Sequence, residues 1–176
     1  MGKMKKIMAA VIAATLFTLA FTGCFTNNKR GPLDVKKVSY LVYYEDIGHV
    51  IYYVITDDYK VTKYSIFPED DKTYDYFAGE LPSEDQYKVT ESEIDESGWS
   101  SIVNVLTRVD FMNLLDEFPP ANVKDGATYY IQVETADGTH RSGGYEAGYS
   151  KDPENRRFSE ARQHIEYALN NAGIGL

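Results

Sequence analysis

Val38-Ser-Tyr-Leu-Val-Tyr-Tyr44, Val50-Ile-Tyr-Tyr-Val-Ile55 and Val61-Thr-Lys-Tyr-Ser-Ile-Phe67 follow one another with only short polar gaps between them. All three runs are rich in Val, Ile and Tyr, the β-branched and aromatic residues that suit a pleated, half-buried surface. The first gap, Glu45-Asp-Ile-Gly-His49, is a five-residue loop with a glycine, and the second contains Asp57-Asp58-Tyr59-Lys60. The spacing predicts two hairpins and hence a three-stranded antiparallel meander. The third run alternates, with Thr62, Tyr64 and Ile66 on one face and Val61, Lys63 and Ser65 on the other.

Downstream, residues 68–96 are acidic and broken by Pro68, Gly79 and Pro82, and only residues 86–90 suggest a further short strand. Trp99, Ile102, Val103, Leu106 and Val109 then recur at helical spacing, with Asp95 or Ser97 as the cap. Residues 127–135 and 139–145 flank Ala136-Asp137-Gly138, and Asp-Gly between alternating residues predicts a second hairpin. Phe158, Ala161, Ile165, Ala168, Leu169 and Ala172 mark a last amphipathic helix stopped by Gly173. Hairpins dominate and no βαβ crossover is evident. The expected fold class is therefore α+β, an antiparallel sheet of five to six strands with two helices packed on one face and the other face helix-free.

Upstream, Lys3, Lys5 and Lys6 precede an apolar stretch at residues 7–21. At ~1.5 Å per residue that stretch spans only ~22 Å, short of a ~30 Å hydrocarbon core, so it reads as an export signal to be removed. It ends in Phe21-Thr22-Gly23-Cys24, which resembles the bacterial lipobox, although Phe21 stands where that motif carries an aliphatic residue. The resemblance implies cleavage before Cys24, acylation of Cys24 and attachment to the lipid bilayer on the extracytoplasmic face of the cell membrane. It divides the chain into a signal peptide at 1–23, a lipidated tether at 24–35 broken by Gly31 and Pro32, and a single globular domain at 36–176. Cys24 is the sole cysteine, so the domain has no internal disulfide to lean on.

Loss of the signal removes three of the eighteen basic residues and none of the twenty-seven acids, leaving a net charge of −12. That balance excludes nucleic acid as a partner. Residues 57–96 carry thirteen acids against four bases, a run that reads first as a solvated loop face.

Motifs of chemistry are missing. His49, His140 and His164 fall in no metal-ligand spacing, and Glu160 with His164 reads as a surface pair one helical turn apart. Asp71, Thr73 and Asp75 alternate as in a calcium loop, but Tyr76 and Pro82 stand where that loop needs glycine and glutamate. There is no G-x-S-x-G or S-x-x-K, and Ser142-Gly143-Gly144-Tyr145 reads as a strand bend, not a phosphate loop. No catalytic residue, metal or cofactor is assigned, and the chain does not read as an enzyme.

What stands out is tyrosine: fifteen residues, with pairs at Tyr43-Tyr44, Tyr52-Tyr53 and Tyr129-Tyr130. Adjacent strand residues face opposite sides, so each pair sends one ring into the core and one to the other face. Tyr40, Tyr44, Tyr52 and Tyr64 are the candidate binding surface for an envelope protein or a wall polymer, since tyrosine is enriched in interfaces. The alternative is a small-ligand or metal-binding protein, or a hydrolase, acting at the cell envelope. Beyond the lipobox, Asp125-Gly126-Ala-Thr-Tyr129-Tyr-Ile131-Gln-Val133, followed by the Asp-Gly hairpin, Gly143-Gly144-Tyr145 and a terminal helix, is similar to short bacterial lipoproteins. This likeness implies a fold and no activity.

Overall fold

The computed structural model describes residues 31–69, 72–120 and 126–176. The expected signal peptide, Cys24 and most of the expected tether lie outside the described residues. Among those described, six strands form one antiparallel sheet: β1 (Val35–Tyr44), β2 (His49–Thr56), β3 (Lys60–Ile66), β4 (Tyr87–Glu93), β5 (Ala127–Thr135) and β6 (Gly138–Tyr145). The order across the sheet is β4-β3-β2-β1-β5-β6. Two helices, α1 (Glu96–Arg108) and α2 (Pro153–Asn171), complete the α+β fold. No described helix is long and apolar enough to cross a membrane.

The hairpins fall where their turn residues predict, and Asp95 caps α1 by accepting from the Gly98 N–H at 2.6 Å. Proline at the first turn of α2 and Asp152, which accepts from the Glu154 N–H, start the second helix. Trp99, Ile102, Val105 and Leu106 of α1 and Phe158, Ala161, Ile165 and Leu169 of α2 are buried against Val38, Tyr40, Val42, Tyr53, Ile55, Ile131 and Val133. This is the main core.

The folded unit, Pro32–Leu176, begins earlier than the sequence suggests. The Leu33 N–H donates to Thr107 Oγ1 at 3.1 Å, and Val35 is buried in β1. Leu33 and Val35 thus pack with the domain, their side chains joining the core under the helices.

Glu160 and His164 do not pair with each other. Glu160 meets Arg108 and His164 Nδ1 bonds the Ser101 hydroxyl, so both reach across to α1 and tie the helices together.

Candidate functional site

Pair register decides which tyrosines share a face. Tyr40 lies opposite Tyr53, and Leu41 opposite Tyr52, so even positions of β1 match odd positions of β2. Tyr52 lies opposite Tyr64, which keeps parity between β2 and β3. The four tyrosines expected to form one surface are therefore split. Tyr40 is completely buried under the helices, and Tyr44 packs at the edge of the same core. Tyr52 and Tyr64 lie on the opposite face, where Tyr52 is itself buried. Each adjacent pair does divide as its strand geometry requires: Tyr44, Tyr53 and Tyr129 go to the helix side, Tyr43, Tyr52 and Tyr130 to the other.

That second face carries no helix, yet it is partly covered. Leaving β3, the chain turns at Pro68 and comes back over the sheet, its base closed by the Phe67 N–H donating to the Gln86 carbonyl at 2.9 Å. Asp75 accepts from the N–H groups of Phe77 and Ala78 and so caps a single 3₁₀ turn at Tyr76–Ala78. Glu80 in turn accepts from the Asp75 N–H at 3.0 Å. This small bonded unit delivers apolar side chains from an acidic run: Tyr76, Phe77 and Leu81 pack against Leu41, Val50, Tyr52 and Ile66. The Tyr52 ring lies 5.6 Å from Phe77, edge-on, and 6.2 Å from Tyr76. Edge and tilted contacts of this kind suit the ring quadrupoles. The stretch that reads first as a solvated loop face is, in its middle, a second small core.

Between Pro68, residues 72–80 and the sheet an open cleft of about 710 Å³ remains. Leu41, Tyr43 and Val50 form its floor, Tyr74, Tyr76 and Phe77 one wall, and Tyr130, Arg141, Asp116 and Glu117 the other. Its size falls in the ~300–1,000 Å³ range of pockets that take drug-sized ligands.

The far wall is held by two devices. The Arg141 guanidinium sits 5.2 Å from the Phe77 ring and 6.0 Å from Tyr130, and lies 3.8 Å from Asp75. One cation thus links β6, β5 and the returning segment. The Tyr130 hydroxyl donates to both oxygens of Glu117, at 2.9 and 2.7 Å. Burial, reinforced by Glu117, pushes the Tyr130 phenol up to about 12. It stays protonated at neutral pH, with its proton directed at Glu117.

Among the described residues no group of three or more His, Cys, Asp or Glu is placed to hold a metal ion. What the arrangement offers is binding chemistry: aromatic rings on the floor and one wall, and charged groups held in fixed positions on the rim. Compared with known protein families and with curated proteins, the chain matches none.

Tyr43, Tyr74, Tyr76, Phe77, Tyr130 and Arg141 are the cleft residues that the sequence reading passed over. Tyr43 and Tyr130 were recoverable from strand parity once the register is known. Tyr74, Tyr76 and Phe77 stood out only as three rings inside an otherwise acidic run.

Proposed function

We propose that the chain is a lipoprotein held by acylated Cys24 on the extracytoplasmic face of the cell membrane, and that its domain is a non-catalytic module binding an envelope protein or wall polymer. The observation that carries the binding reading is the cleft, preformed by Arg141 and the Tyr130–Glu117 bond and lined by Tyr43, Tyr74, Tyr76 and Phe77. Preformed walls spare a ligand the entropy of ordering them.

The test has two parts. Cys24→Ser moves the chain out of the membrane fraction; recovery of this variant in the membrane at the native level argues against the anchor. Detergent-extracted full chain retains one envelope component that a Tyr43→Ser/Tyr74→Ser variant of unchanged circular dichroism does not. Equal retention by both argues against the cleft.

A further inference from the structure

The bonding inside the cleft narrows what it takes, a step that rests on reading the cleft as the binding site. Three of its four carboxylates are tied into the walls, and the fourth, Asp116, is exposed with His140 at 3.6 Å. Glu117 accepts from Tyr130 with both oxygens, Asp75 accepts two backbone N–H groups and faces Arg141, and Glu80 accepts from the Asp75 N–H. A strongly cationic ligand meets Arg141 and Lys72 on the same rim, and at Asp75 it competes with Arg141, 3.8 Å away. A polyanion meets a chain of formal net charge −9 and a rim with four acids against Arg141 and Lys72. A wholly apolar ligand would strip water from that charged rim with nothing to replace it.

A neutral ligand with apolar faces and hydroxyl edges meets none of these objections. Each carboxylate oxygen has more than one lone pair, so a wall carboxylate that already accepts one hydrogen bond still accepts a second from a hydroxyl. Arg141 supplies N–H donors to hydroxyl oxygens at the same rim. The floor and near wall present aromatic rings to C–H faces. We infer that the cleft takes a short stretch of a neutral saccharide polymer, sugar faces packed on Tyr43, Tyr74 and Tyr76, hydroxyls donating to Glu80 and Glu117 and accepting from Arg141.

Titration calorimetry of the detergent-extracted full chain tests this, with neutral oligosaccharides of glucose and of N-acetylglucosamine in separate arms and oligolysine and polyphosphate beside them. The expected result is binding of at least one neutral oligosaccharide, weakened roughly five- to tenfold by Tyr74→Ala, the loss of one ring contact. Glu80→Gln, which keeps the shape, weakens it less, and Tyr167→Ala, on the exposed side of α2, leaves it unchanged. Unchanged circular dichroism certifies the fold of each variant. No binding of either neutral sugar overturns the saccharide inference. Binding of oligolysine or polyphosphate instead, still weakened by Tyr74→Ala, overturns the ligand class and leaves the cleft reading standing. Binding of any probe that ignores Tyr74→Ala and Glu80→Gln overturns both.

Discussion

Tyr130 donates its hydroxyl to both carboxylate oxygens of Glu117, and Glu117 is itself bridged in parallel to Gly143 of the edge strand β6. One side chain of an interior strand thereby fixes the segment that forms the far wall of the cleft. Tyr130→Phe removes the bond and keeps the ring. A partly exposed hydrogen bond to a charged group contributes about 1 kcal/mol, so denaturant unfolding should report a loss of that order.

The same bond sets an alkaline limit. The phenol's ordinary value is 10.0 and burial beside Glu117 raises it to about 12 in the folded chain. Folding therefore favours the protonated form. Its contribution is fully present below pH 10 and is lost as pH rises through 12. Burial also raises Tyr129 to about 12, so ultraviolet titration should show one fewer late-ionising tyrosine in Tyr130→Phe than in the native chain.

On the helix side, Tyr40 donates to Glu166 Oε1 at 2.5 Å, and Glu166 lies 3.7 Å from Arg162 Nε. Arg162 is stacked over Tyr129 at 4.2 Å, and its buried Nε and Nη1 have no hydrogen-bond acceptor. Glu166 is the nearest countercharge to a guanidinium largely shut off from water. Glu166→Ala should cost on the order of 3 kcal/mol, because it leaves a buried charge uncompensated, while Tyr40→Phe should cost nearer 1 to 2 kcal/mol. Equal effects in chemical denaturation would contradict this division.

Gly143 has no room for a side chain. A Cβ there would stand 2.2 Å from the Tyr129 carbonyl oxygen and 2.4 Å from Tyr130 Cδ1. Gly143→Ala must push β6 off β5 and open the cleft wall. We expect a loss of about 3 kcal/mol or more, read as a lower thermal midpoint or as failure to accumulate folded chain.

His49 stacks on Phe67 at 4.1 Å, and burial, with Lys63 nearby, holds its ring below the usual histidine value of 6.5. The folded state thus prefers neutral imidazole. The stability this preserves is present above pH 6.5 and is lost as pH falls below it. Nuclear magnetic resonance should place the His49 midpoint below 6.5, and His49→Gln should flatten the fall in thermal midpoint between about pH 7 and pH 5.

The local elements were legible because their signals are local. The Val/Ile/Tyr runs, the Asp137-Gly138 turn and the i, i+3, i+4 stripe from Trp99 each specify their own backbone within a few residues. Sheet order was not legible in the same way. β5 pairs with β1 across more than eighty residues, and nothing near Ala127 names that partner. Register was the costly gap. Placing Tyr40 with Tyr52 requires even positions of β1 and β2 to share a face, and the pairing of Tyr40 with Tyr53 reverses it. The cleft escaped notice because charge dominates residues 68–86, although Tyr74, Tyr76, Phe77 and Leu81 are spaced through them. An acidic run reads as solvent-facing until its apolar residues are given a surface to meet.

The central claim, that this face of the sheet is where the chain meets its ligand, is tested most directly by photocrosslinking in living cells. A benzoylphenylalanine at position 74 in the full-length chain reports on the cleft, and one at position 167, on the exposed side of α2, serves as its counterpart. The account predicts a discrete adduct of raised mass from position 74 and none from position 167. An adduct from position 167 alone, or from neither, would contradict it.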